Sequence, residues 1–192
     1  MSRDPHHAAY AGFDLAAEAA RLAGDLETGL NACVECCDRH VGAGRIALRC
    51  IGVDERLTTY TFEDLQRLSA QAAQVFAAAG VGPGDVVAGL LPRTVELVAT
   101  ILGAWRLGAV YQPLFTAFGP KAIEQRFGTS GARLVVTNSA QRPKLDEVPN
   151  CPTIATVRDS AAPLAPGDID FRAALAAAPG RFEPVLRCGD DL

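Results

Sequence analysis

The sequence predicts an α/β fold, a mostly parallel sheet flanked by helices, with a helical lead-in on its N-terminal side. Three observations carry this. Residues 86–91 form an unbroken apolar run, as a strand buried on both faces requires. Residues 61–79 repeat apolar side chains at helical spacing: Phe62, Leu65, Leu68, Ala72, Val75, Phe76 and Ala79 share one face. The middle of the chain then alternates strand, helix, strand, helix, strand, the pattern of βαβ units with right-handed crossovers.

The elements follow in order. Residues 15–26 place Leu15, Ala19, Leu22 and Leu26 at helical spacing, and residues 30–41 do the same with Leu30, Val34, Cys37 and Val41 before Gly42 and Gly44. Residues 45–51 alternate, with Ile46, Leu48 and Cys50 on one side, and 58–61 continue the alternation after a charged turn, so a hairpin is expected. Thr61 is placed to cap the next helix, with Asp64 three residues on, and Gly80 to stop it. Pro92 ends the 86–91 strand, a mostly apolar helix over 94–107 closes at Gly108, and 109–112 is the next strand. Pro120 opens a helix that turns Ile123 and Phe127 inward and ends at Gly131, and 134–137 is a strand. Further on, 154–157 reads as a short strand, 160–167 as an Ala/Pro linker and 171–178 as a helix. The division expected is a lead-in over 1–44 and an α/β subdomain over 45–192.

Composition narrows the function. At 192 residues, 49% hydrophobic and 21% charged, the chain is ordinary for a globular protein with one domain and an appendage. A net charge of -4 argues against a nucleic-acid binder, which usually carries a basic face. Arg3, Asp4, His6 and His7 stand where a secretion signal needs apolar residues. The longest apolar stretch, 97–105, is half of the ~18 residues of a membrane span. A cytoplasmic location is expected, with the six cysteines reduced.

Two motifs have plain readings. Gly80, Gly82 and Gly84 follow a helix and precede a strand, the reverse of a dinucleotide loop, so a turn is expected. Cys33, Cys36, Cys37 and His40 share one side of a helix, but a single rigid helix wraps poorly around a tetrahedral ion, so no metal site is assigned. Asp38 and Arg39, as neighbours on a helix, do not face each other, which points to contacts with other elements.

Three stretches together resemble the AMP-forming acyl-CoA synthetases of the adenylate-forming superfamily, the acetyl- and propionyl-CoA synthetase-like members above all. They are Asp38-Arg39-His40 before the first strand; Thr59-Tyr60-Thr61-Phe62 leading through Gly80, Gly84 and Asp85 to Leu91-Pro92; and Gly103-Ala104 with Gly108-Ala109-Val110, Pro113-Leu114-Phe115, Phe118-Gly119-Pro120 and the run from Ala132 to Thr137. The resemblance covers residues 30–140 well. It implies a two-step chemistry: a carboxylate, here a small one, joins ATP to give an acyl-adenylate and pyrophosphate, and the acyl group then passes to the thiol of CoA, with Mg supporting the ATP step. The first step uses a T-S-G-T-T-G-x-P-K-G loop whose backbone amides cradle phosphates. The sequence contains no such loop, and Gly189-Asp190-Asp191-Leu192 resembles the residues leading into it. The expectation is therefore an N-terminal fragment that is inactive alone, holds neither ATP nor CoA tightly, lacks its C-terminal partner part, and exposes an apolar face through which copies could associate. The resemblance implies CoA contacts from Phe115, Thr116, Ala117 and Gly119, with Arg142 and Lys144 nearby. Two other classes stay open at this point: a stand-alone Rossmann-like small-molecule module, and a metal or redox interaction module built on the helix of Cys33 and His40.

Overall fold

The computed structural model describes residues 10–159 and 163–191. In chain order the elements are α1 (Leu15–Ala19), α2 (Ala32–Cys36), a 3-10 turn (Asp38–His40), β1 (Ile46–Ile51), β2 (Leu57–Thr61), α3 (Phe62–Ala78), β3 (Val86–Leu90), α4 (Val95–Arg106), β4 (Val110–Pro113), α5 (Pro120–Ser130), β5 (Leu134–Asn138), α6 (Pro143–Asp146), β6 (Thr153–Val157), β7 (Ile169–Asp170) and α7 (Phe171–Ala177).

Five strands form a parallel sheet in the order β4-β3-β5-β6-β7. Helices α3, α4 and α7 cover one face, packing on Val87, Leu134, Val136 and Ala155. Helices α5 and α6 cover the other, over Ala88, Leu90 and Val135. Alternate residues of β3 and β5 therefore enter two different cores, which is why these strands read as continuous apolar runs.

Local chemistry sets the helix ends. Thr61 caps α3 through a reciprocal box: its hydroxyl oxygen accepts from the Asp64 N–H at 3.2 Å, and the Asp64 carboxylate accepts from the Thr61 N–H at 3.0 Å. Gly131 closes α5 in the left-handed region at φ 65°, where its N–H reaches the Phe127 carbonyl at 2.8 Å. Gly103 serves packing. A Cβ there would lie 2.5 Å from the Ala72 Cβ, so its bare backbone lets α4 press against α3.

β1 and β2 pair antiparallel as a separate hairpin, as the alternation predicts. A third cluster, Cys33, Cys37, Leu65 and Leu102 with Leu48, Tyr60, Phe62 and Trp105 against it, joins this hairpin and α2 to α3 and α4.

The lead-in differs from expectation. The helix predicted over 15–26 shrinks to the five residues of α1, none of them buried, and Leu26 is exposed. An isolated short helix without a packing face is marginal in water. The helix predicted over 30–41 stops at Cys36, because Cys37 leaves helical geometry (φ -128°, ψ -65°) and Asp38 starts a tighter turn aimed at Arg106. Its buried stripe is Cys33 and Cys37, whereas Val41 is exposed. Two elements escape prediction, α6 and β7, both too short to show a period. Of the expected 160–167 linker, 160–162 lie outside the described residues, and 163–167 form neither helix nor strand.

The last described segment folds back. Leu30 and Arg187 exchange backbone hydrogen bonds of 3.0 and 2.9 Å, and the Val185 N–H donates to the Arg106 carbonyl at 2.9 Å. Asn31 completes the junction. Its amide nitrogen donates to the carbonyls of Trp105, Arg106 and Val185 at 2.7, 3.2 and 2.8 Å, and its oxygen caps α2.

Candidate functional site

In an open parallel sheet, ligands bind outside the carboxyl ends of the strands, where the strand order reverses. Here β4 lies on one side of β3 and β5 on the other, so the reversal falls at β3 and β5. Three loops leave the carboxyl edge there: 91–94 after β3, 114–119 after β4, and 139–142 after β5. The turn carrying Gly80, Gly82 and Gly84 lies between α3 and β3, at the opposite edge, as its helix-then-strand context predicts.

The 114–119 loop is held at both ends. Leu114 is buried among Leu90, Ile123 and Phe127, and its N–H donates to the Gly89 carbonyl at 3.0 Å. Phe118 donates its N–H to the Phe115 carbonyl at 2.9 Å, which tightens the loop before Gly119 leads into α5. The Phe118 ring carries the Arg126 guanidinium 3.9 Å from its centroid and meets Phe115 edge-on at 5.9 Å. Phe115 itself is 64% exposed.

Of the six residues the resemblance singles out, Phe115, Thr116, Ala117 and Gly119 share this loop. Lys144 of α6 joins them: its ammonium donates to the Thr116 carbonyl at 2.5 Å. Arg142 turns elsewhere. Its guanidinium makes a two-point contact with Asp168, Nε to Oδ2 at 2.7 Å and Nη2 to Oδ1 at 3.0 Å, and a third bond to Asp146 at 2.6 Å. These carboxylates hold the guanidinium in its charged form more firmly than usual, Asp168 above all. Thr156 also donates to Asp168 at 2.6 Å. Arg126 and Asp168 are the partners that sequence reasoning missed, since neither stands in a motif and both act across elements.

A second polar cluster lies away from this edge. Arg106 is almost fully buried, and it donates to Asp38 at 2.5 Å, Ser69 at 2.9 Å, the Phe182 carbonyl at 3.2 Å and the Cys33 sulfur at 3.5 Å. It forms one wall of a polar cavity of about 520 Å³ with Gln66, Gln74, Arg181 and Glu183. Arg39 pairs with Glu35 instead. Asp38 and Arg39 therefore serve different elements, as helix geometry requires.

The cysteines of this region act as core. Burial pushes the Cys33 thiol up, and burial with the neighbouring Cys33 pushes Cys37 to about 12. Cys36 is exposed. Among the described residues no group of three or more His, Cys, Asp or Glu side chains is placed to hold a metal. With an aromatic disulfide reagent at neutral pH, Cys36 is expected to react promptly, and Cys33 and Cys37 only on unfolding. Prompt labelling of all six cysteines in the native chain would contradict this packing.

The sheet order and its carboxyl-edge loops define an α/β unit of the open parallel class, whose ligands as a rule bind at this edge. The family model described as "AMP-binding enzyme" matches residues 37–187, and the chain belongs to that family. A crystal structure of an acyl-CoA synthetase from Brucella canis superposes with a TM-score of 0.94 at 63% identity, covering 99% of this chain and 35% of that one. Acetyl-coenzyme A synthetase of Gemmatimonas aurantiaca is 38% identical over 111 residues, and that of Sodalis glossinidius 37% over 111 residues. Each of these alignments covers 56% of this chain and 17% of the relative. The chain thus spans about a sixth of those relatives' length and about a third of the structural neighbour's. Among the described residues no helix is long and apolar enough to cross a membrane.

Proposed function

We propose that this chain is the N-terminal part of an AMP-forming acid–thiol ligase, which joins a small carboxylate to ATP and passes the acyl group from the adenylate to CoA. The observation that carries this is the 63% identity to an acyl-CoA synthetase over 99% of the chain. The family implies ATP and CoA, with Mg at the ATP step. On this reading the protein works in the cytoplasm, and the 192 residues by themselves perform neither step, because the sequence has no glycine-rich phosphate loop with a lysine. Exposed apolar residues of the hairpin, Ile46, Ile51, Val53 and Leu57, are candidates for contact with the rest of the enzyme or with a second copy.

Within the chain, the 114–119 loop is the proposed CoA-side surface. The exposed Phe115 ring offers a face to a base, and Lys144 places positive charge beside the loop, which suits a phosphate-bearing ligand, whereas the charge of Arg142 is met by Asp168 and Asp146.

Calorimetric titration of the chain with CoA and, separately, with ATP tests this reading. Weak CoA binding that falls with salt is expected, without ATP binding. Phe115→Ala should weaken CoA about tenfold, the scale of a lost stacking contact. Absence of CoA binding would remove the loop's assignment, and tight ATP binding would overturn the account of an incomplete phosphate site.

A further inference from the structure

The α6 cations stand beside the proposed CoA loop, yet neither points freely at solvent. Lys144 reaches across from α6 and donates to a backbone carbonyl in the middle of the 114–119 loop, at 2.5 Å. That carbonyl belongs to Thr116, one residue beyond the exposed Phe115. Helix α6 is a firm base for this reach. Its Leu145 and the following Val148 are buried in the same core as Leu114, Ile123 and Phe127. Asn138 holds the turn before it, accepting from the N–H of Gln141 at 3.1 Å and of Arg142 at 2.9 Å. Arg142 then ties the helix to the buried carboxylate of Asp168, just before β7.

We infer that Lys144 is a positioning residue: α6, anchored by Arg142 on Asp168, uses the Lys144 ammonium as a clamp that fixes the 114–119 loop and the direction of the Phe115 ring. This rests on the reading of that loop as the CoA-side surface. A charged donor on a half-buried carbonyl is one of the stronger hydrogen bonds available, and it holds a segment otherwise fixed only at its ends. Arg142 acts one step further back. With three of its donor bonds on Asp168 and Asp146, it sets the helix and leaves the loop contact to Lys144.

The test uses the whole chain and two readouts. Backbone hydrogen exchange over 114–119 is compared in the wild type, Lys144→Met and Lys144→Arg, and each is titrated with CoA. Lys144→Met should speed exchange in the loop by about tenfold or more while the sheet core is unchanged, and Lys144→Arg, which keeps a charged donor, should restore most of the protection. Lys144 is only partly buried, so neither variant threatens folding. If loop exchange does not change in Lys144→Met, the clamp is wrong. Weaker CoA binding with unchanged exchange makes Lys144 a direct phosphate contact, and also overturns it. If the loop loosens in Lys144→Met but the wild type binds no CoA, the clamp stands and the CoA reading of the loop falls.

Discussion

Replacing Arg106 by methionine is expected to cost about 3–5 kcal/mol of unfolding free energy, the scale for breaking a buried ion pair by removing one partner. The geometry gives the reason. The Arg106 side chain is 3% exposed and that of Asp38 15%, so the carboxylate left behind finds little water to replace the guanidinium. The same change takes a donor from the Phe182 carbonyl and leaves Ser69 with only its bond to the Gln66 carbonyl, because Arg106 collects contacts from α2, the 3-10 turn, α3 and the segment after α7. For a urea slope of about 2 kcal/mol/M, the midpoint should fall by about 1.5–2.5 M. The double change Arg106→Met, Asp38→Leu should recover part of the loss, since no unpaired charge then remains. A shift under about 1 kcal/mol in the single variant would mean that Asp38 rehydrates through the adjoining cavity, and that the pair is a surface contact in energetic terms.

Phe171→Ala is the second large effect, expected at about 3–5 kcal/mol. Phe171 is fully buried, and its ring stacks on Phe76 at 6.0 Å with 6° between planes. The pair joins α7 to α3 over the sheet face formed by Val136 and Ala155, so truncation opens a void between two helices and the sheet. A single cooperative transition at a lowered midpoint is the outcome that integrates α7 into this core. Exchange that rises only over 169–178, with the midpoint unmoved, would make α7 a locally detachable cap and refute the estimate. Phe171→Leu should cost much less, because it retains most of the apolar volume.

Much of this fold was legible in the chain because its cues are local. The Thr61 and Asp64 box, the Gly131 stop, Pro120 at a helix start and the apolar runs of β3 and β5 each act within a few residues, and the structure has every one of them. The candidate loop was legible only through resemblance, since Phe115 and Gly119 carry no periodic or charged signal of their own. The lead-in was misread for a physical reason. Leucines at helical spacing in 15–26 promise a helix only if something covers them, and nothing among the described residues does. At Cys37 the local preference for helix lost to a distant ion pair, Asp38 with Arg106.

The sequence by itself determined the element types, the parallel α/β class and the positions of most caps, because hydrogen bonds at helix ends and burial on both faces of a strand leave marks at fixed short spacings. Only the tertiary structure decided which charges meet. Lys144 on Thr116, Arg142 on Asp168, Arg106 on Asp38 and Asn31 on three carbonyls join residues between 26 and 154 positions apart. Such pairings depend on how helices cross the sheet, and a charge in a sequence carries no record of the partner that packing will bring to it.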